Sequence, residues 1–295
     1  SFNMDGYGQV SLVPTQWGDA KQSVTEVSGN TLIPHMGARA YFADKCNVGQ
    51  YNPQEYLALN LLGKTLKYTT DMTNSGCGCN AALYLVSMAQ NTEVSTCNDY
   101  YCDANKVCGI WCSEIDIQEA NQHAWHSTLH SAHDRSGVGK GYGGGNGWNG
   151  PRDFGSSQYG KGAQCVDTNQ PFQVAASFPV DATGALTAME VTLTQEGRYC
   201  NVSMLVSNYR GSGMSELTLA LKAGMTPVVS YWASKKMLWL DGAGSDGQGP
   251  CGSDNRTMCS KAISFYDFIV EEIAVPTPAP TPAPAPAPAR SALVP

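Results

Sequence analysis

Eleven cysteines constrain this chain more than any other feature. They stand at positions 46, 77, 79, 97, 102, 108, 112, 165, 200, 251 and 259, and seven of them fall between 46 and 112. A reducing compartment would leave so many thiols free and reactive, so the pattern predicts a disulfide framework in a secreted protein. Zinc is the rival use, but Cys97, Cys102, Cys108 and Cys112 are spaced too loosely for the common zinc pairs. The odd count leaves one thiol free or paired outside the chain. Two glycosylation sequons, at Asn201 and Asn255, agree with export. No signal peptide is present, so Ser1 is expected to begin a processed chain, and no apolar run reaches the length of a membrane span.

Within that framework the chain reads as all-β. Short apolar runs recur between turn residues at 38–42, 66–70, 82–86, 174–178, 187–194, 228–232 and 262–266. That cadence predicts a sheet sandwich or jelly roll. One helix is expected over 215–222 (SELTLALK), with Ser215 as its cap. The glycine-rich stretch 136–150 contains a formal GxGxxG at 139–144, but no strand precedes it and no helix follows, so it reads as a surface loop. Residues 275–290 (VPTPAPTPAPAPAPAR) cannot feed a sheet ladder and favour extended polyproline II. The expected division is therefore a β-sandwich domain at 1–274, the part that would carry any catalytic site, and a Pro/Ala-rich linker or tail at 275–295, a spacer that could tether the chain to a second module or a surface. The net charge of −7 argues against nucleic acid as a partner and suits a neutral substrate.

The stretch 112–121 (CSEIDIQEAN) carries the chemistry. Alternate residues of a strand share a face, so Glu114 and Asp116 point one way while Ile115 and Ile117 point toward the core. A regular strand would put Glu119 with the isoleucines. A bulge near Ile117 or Gln118 would return it to the acidic face. A retaining glycosidase needs such a pair of carboxyls, ~5–5.5 Å apart across the scissile bond. Crowding the acids helps one of them hold a proton. The alternatives at this point are an exposed acidic strand or a calcium site.

The flanks of that strand resemble the active-site strand of glycoside hydrolase family 7, the cellobiohydrolases and endoglucanases. The resemblance continues in order through 28–32, 37–42, 61–66, 77–88 (CGCNAALYLVSM), 101–105 (YCDAN), 224–232 and 237–241, the last two like the family's late strands. It implies a concanavalin A-like β-jelly-roll sandwich, disulfide-stabilised, whose concave sheet holds a β-glucan such as cellulose. It implies Glu114 as nucleophile, Asp116 as its helper and Glu119 as acid/base. Asn80, Tyr84, Asp103 and Asn105 are expected to line the cleft, and Arg152 and Tyr159 to touch sugar. Trp232 and Trp239 look like sugar platforms, since pyranose C–H groups stack on aromatic faces. The same matching implies the disulfides Cys77–Cys251 and Cys102–Cys112. No metal or organic cofactor is expected, because two carboxyls suffice for the displacement.

Four histidines, at 123, 126, 130 and 133, would stripe one face of a helix and could bind metal. The resemblance instead makes His130 an active-site residue and leaves the others in loops. The chain also departs from the family pattern. Gln118 replaces a tryptophan of the cellobiohydrolases, Ala233 and Ser234 replace an acidic pair, and the segment between Asn105 and Cys112 is very short. No product-side arginine precedes Cys251. These departures favour an endo-acting β-1,4-glucanase with an open cleft over a cellobiohydrolase, and a non-catalytic glucan-binding or wall protein is the third reading.

Overall fold

The computed structural model describes residues 1–16, 24–145, 147–148, 150–244 and 247–274. The tail at 275–295 lies outside the described residues. Two antiparallel sheets dominate. In the first, the strand order is β1 (Phe2–Met4), β2 (Gly8–Gln16), β5 (Ala38–Ala43), β16 (Thr226–Ala233), β7 (Cys79–Val86), β8 (Glu114–Ala120), β9 (Trp125–His130) and β10 (Val138–Tyr142). In the second it is β15 (Val202–Ser207), β14 (Ala188–Thr194), β13 (Phe172–Ser177), β6 (Lys64–Asp71), β17 (Ser264–Glu272), β4 (Thr31–Pro34) and β3 (Thr25–Ser28). A small parallel pair joins β11 (Tyr159–Gly160) to β12 (Val166–Asp167). The helices are α1 (Gly213–Ala223) and the single turn α2 (Leu238–Asp241). The stacked sheets form a β-jelly-roll sandwich.

The alternation that predicts strands also decides what they bury. In β6, Leu66 and Tyr68 face inward while Lys67 and Thr69 face out. β7 is buried along its whole length, at the middle of its sheet. Leu83 and Leu85 enter the core between the sheets, and Ala82 and Tyr84 take the opposite, concave side. Phe2, Phe42 and Phe268 meet at centroid distances of 5.1–5.4 Å in the middle of the core. Truncating one such buried leucine to alanine costs about 2–5 kcal/mol.

Five disulfides clamp the sandwich: Cys77–Cys251, Cys79–Cys259, Cys97–Cys108, Cys102–Cys112 and Cys165–Cys200. Cys46 is the free thiol and is exposed. All four cysteines weighed for zinc are thus consumed in two of these bonds.

Three local expectations differ from the structure. The helix begins two residues earlier than expected, and Ser215 does not cap it, because its hydroxyl donates to the Ser212 carbonyl at 2.8 Å. The segment around Trp239 is helical rather than a strand, because the Leu238 carbonyl accepts from Gly242 at 2.9 Å and turns the chain back on itself. The glycine-rich stretch is not all loop: its start is the edge strand β10, paired along β9.

Candidate active site

β8 carries a bulge where the alternation required one. Against β9 it pairs Glu114 with His130, Asp116 with Thr128, and then Glu119 with His126. Two residues of β8, Ile117 and Gln118, therefore oppose the single Ser127 of β9. Ile117 and Gln118 both turn inward. Gln118 is tolerated there because its amide is satisfied: the Tyr68 hydroxyl donates to it at 3.1 Å, and it donates to the Ala81 carbonyl at 3.2 Å. With the phase reset, Glu114, Asp116 and Glu119 open together into a cavity of about 400 Å³ on the concave sheet.

The cavity gathers most of the expected residues. Tyr84, Asp103, Asn105, His130, Trp232 and Trp239 line it alongside the acids. Asn80 is buried beneath it rather than lining it. Its amide donates to Glu119 Oε1 at 2.9 Å and accepts from the Ala120 N–H at 3.2 Å. The turn bearing Asp103 is stapled to the start of β8 by Cys102–Cys112, and the Ala104 N–H donates to Glu114 Oε2 at 3.0 Å.

Two expected sugar contacts lie elsewhere. Tyr159 is fully buried, packed on Trp125, Phe154 and Phe172, with its hydroxyl donating to the Asn121 carbonyl at 2.8 Å. It is a core residue because its ring packs among these aromatic side chains of the main hydrophobic cluster. Arg152 donates to the carbonyls of Gly144 and Gln248, so its guanidinium ties two loops together outside the cavity lining.

Tyr101, at the head of the 101–105 turn, also lines the cavity, and other lining residues, among them Arg135 and Trp148, carried no sequence signal of their own. Trp148 lies over the His126 ring at 3.3 Å between centroids. Gly144, at φ +90°, allows this approach, since a Cβ there would sit 2.7 Å from the indole. The histidine stripe dissolves in the strand geometry. His126 and His130 share the concave face of β9, His126 being buried under Trp148. His123 lies in the turn before β9, and His133 packs on Trp111 at 5.2 Å. Among the described residues, the groups of potential metal donors are Cys77, Asp241 and Cys251, and Cys97, Asp99 and Cys108; in both, the cysteines are already bonded to each other.

Burial governs the electrostatics of the acids. It pushes the Glu119 carboxyl up to about 8, with the Asp116 charge adding to the rise and the Asn80 hydrogen bond and His130 opposing it. Burial also raises Glu114 well above the usual carboxylate range, reinforced by Asp116 and Asp103 and opposed by the Ala104 N–H. His130 Nδ1 lies 2.9 Å from the Asp134 carbonyl, which can only accept, so that nitrogen carries hydrogen. Its Nε2 sits 3.2 Å from Asp116 Oδ2, an arrangement that requires a proton between them. Burial disfavours the imidazolium, but the hydrogen bond and charge of Asp116 prevail and raise the His130 value. The site thus sets a hydrogen-bonded Asp116–His130 pair between two carboxyls whose ionisation is disfavoured by burial and by neighbouring acids. Such a set can donate a proton from one carboxyl while another attacks.

No protein-family model matches the chain. Among curated proteins, it is 27% identical over 292 residues to the endo-β-1,4-glucanase celB of Emericella nidulans, covering 76% of this chain and 66% of that one. It is 30% identical over 238 residues to endoglucanase EG-1 of Hypocrea jecorina, covering 68% and 49%. The chain thus spans between about half and two thirds of the length of these relatives. Among solved structures, an endoglucanase I complexed with cellobiose superposes with a TM-score of 0.63 at 23% identity, over 84% of this chain and 78% of that one. A GH7 family cellobiohydrolase from Daphnia pulex gives a TM-score of 0.63 at 19% identity, over 92% and 95%.

Proposed function

Because the chain belongs to glycoside hydrolase family 7, we propose that it hydrolyses β-1,4-glucans by double displacement, cutting within the chain. The observation that carries this reading is the bulge of β8, which turns Glu114, Asp116 and Glu119 onto one wall of a cleft that also holds Trp232 and Trp239.

In this reading the glucan lies in the cleft with pyranose faces against the two tryptophans. Burial favours a proton on each glutamate; in this reading the Ala104 N–H, which opposes that effect at Glu114, stabilises the Glu114 carboxylate that attacks the anomeric carbon. Protonated Glu119 gives its proton to the departing glycosidic oxygen, so the bond breaks to leave a glucosyl ester on Glu114 and a free hydroxyl on the leaving sugar. Glu119, now ionised, takes a proton from water as that water displaces Glu114, restoring both acids. Asp116, hydrogen-bonded to His130, lies beside both glutamates and adds to the burial that favours a proton on Glu119. Asn80 holds the Glu119 side chain in place.

The names of the curated relatives favour internal cutting, as does the short segment between Asn105 and Cys112. Release of cellobiose from chain ends is the second reading, favoured by the cellobiohydrolase among the structural neighbours. Secretion fits the five disulfides and the exposed positions of Asn201 and Asn255, and among the described residues no helix is long and apolar enough to cross a membrane. The Pro/Ala tail suits a tether to a second module or surface.

Reducing-sugar release from soluble β-glucan, beside a Glu114→Gln control, tests the reading. No release by either protein would leave a glucan-binding protein without catalysis, and equal release by both would refute Glu114 as the nucleophile. Viscosity of a soluble cellulose derivative should fall much faster than reducing ends accumulate. Nearly constant viscosity with cellobiose as the first product would mean action from chain ends.

A further inference from the structure

The concave sheet is open over only part of its width. Two cross-strand rungs run across it through the acids. One passes Val13, Tyr41, Val228, Tyr84, Asp116 and Thr128; the next passes Thr15, Arg39, Ser230, Ala82, Glu119 and His126. Along them, Tyr84, Asp116, Thr128, Ser230, Ala82 and Glu119 face the cavity, whereas none of its lining residues comes from β2 or β5. Val13, Thr15, Arg39 and Tyr41 are buried instead, beneath the chain segment stapled by Cys97–Cys108.

That segment is anchored by one residue, Asp99, with no exposed surface. Its Oδ2 accepts from the Thr15 hydroxyl at 2.5 Å and the Tyr41 hydroxyl at 2.6 Å, and lies 3.6 Å from the Arg39 guanidinium. Its Oδ1 accepts from the Ser95 hydroxyl at 2.9 Å and the Tyr101 N–H at 3.2 Å, and its backbone carbonyl accepts from the Tyr56 hydroxyl at 2.7 Å. The residues on either side, Asn98 and Tyr100, are both in the left-handed region, at φ 62° and 63°. Neither is glycine, so the backbone bears a local cost that the contacts of Asp99 offset. The Arg39 guanidinium carbon also lies 3.8 Å from the centre of the Tyr101 ring, whose other side faces the cleft wall.

We propose that this Asp99-anchored segment sets the length of the glucan site by closing the concave face at β5. The proposal rests on the β-glucan hydrolase reading above. Between Glu119 on β8 and Arg39 on β5 only β7 and β16 remain open. At ~4.8 Å per strand that leaves room for about two pyranose units on this side of the scissile bond. A longer chain on that side must lift off the protein, and its further sugars contribute no binding. Internal cutting of a polymer remains possible, but sugars added beyond this limit toward β5 gain no contacts. Asp99 touches no reacting atom and acts on specificity alone.

Cleavage of cellopentaose and cellohexaose in ¹⁸O-labelled water tests this. Double displacement puts the label on the new reducing end, so mass spectrometry of the first products assigns each fragment to one end of the substrate. The fragment held on the closed side should be glucose or cellobiose for both substrates, always from the same end. It should exceed cellotriose from that end by at least about tenfold, the ratio produced by one missing sugar contact of 1.4 kcal/mol. Cellotriose released from the closed side as readily as cellobiose overturns the proposal while leaving the hydrolase reading intact. No cleavage of any oligosaccharide overturns both. In the folded Asp99→Ala variant, verified by its thermal transition, cellotriose from the closed side should rise severalfold. A folded variant with an unchanged product pattern refutes the role of Asp99, and if the variant does not fold, the wild-type pattern alone decides.

Discussion

Asn80→Ala should move the basic limb of the pH profile to higher pH. Asn80 is fully buried and its amide donates to Glu119 Oε1 at 2.9 Å, a hydrogen bond that favours the ionised carboxylate and pulls the Glu119 value down against burial. A hydrogen bond to a charged acceptor contributes roughly 1.5–3 kcal/mol. At 1.36 kcal/mol per pH unit, removing it raises the Glu119 carboxyl by about one to two units from its starting point near 8. In its proposed role Glu119 acts as an acid only while protonated, so activity should fall as pH rises through its pKa, and raising that pKa should postpone the fall. The kcat/KM profile on soluble β-glucan reports the free enzyme, and its limbs belong to the acid cluster as a whole. The variant also strips the Ala120 N–H of its acceptor, at a cost of about 1–3 kcal/mol in stability, so thermal unfolding should register the change too. A basic limb that stays in place, or shifts to lower pH, in a folded Asn80→Ala protein would refute the assignment of Glu119 as the proton donor.

Further expectations follow from the same geometry. Glu119 has a folded value of about 8 against an ordinary 4.5, so its contribution to stability is complete below 4.5 and is lost as pH rises through 8. Glu119→Gln, which cannot ionise, should therefore gain in Tm relative to the wild type as pH is raised across that window, while kcat falls about 10²–10⁴-fold; a Tm difference independent of pH would count against the raised carboxyl. Replacing both Cys77 and Cys251 by serine removes a bond spanning 174 residues and should cost about 2–5 kcal/mol in denaturant titrations, whereas an unchanged midpoint would show that the link adds nothing to stability. Proton NMR of the first product should find the β-anomer, and the α-anomer as the first species would exclude double displacement.

Much of this protein was legible in its sequence, and the legible parts share a cause. Two-residue alternation is a local property, so β5, β6, β7, β13, β14, β16 and β17 could be read from single segments, and the isoleucines at 115 and 117 already oriented Glu114 and Asp116. The mismatch of Glu119 with that alternation demanded a bulge, which stands at Ile117 and Gln118. Order along the chain was enough for a resemblance to place Trp232, Trp239 and His130 at the cleft. What the tertiary structure alone decided depends on which distant segments meet. Tyr159 went to the core and Arg152 to a loop tie, because their neighbours are Phe172 and Gln248. The stripe of histidines separated because its middle is a strand, whose neighbours lie two residues apart rather than three or four. The raised carboxyls arise from burial by several elements at once. The closed half of the cleft exists because Asp99 finds Thr15, Arg39 and Tyr41 at separations of 58 to 84 residues, which no periodicity within a segment encodes.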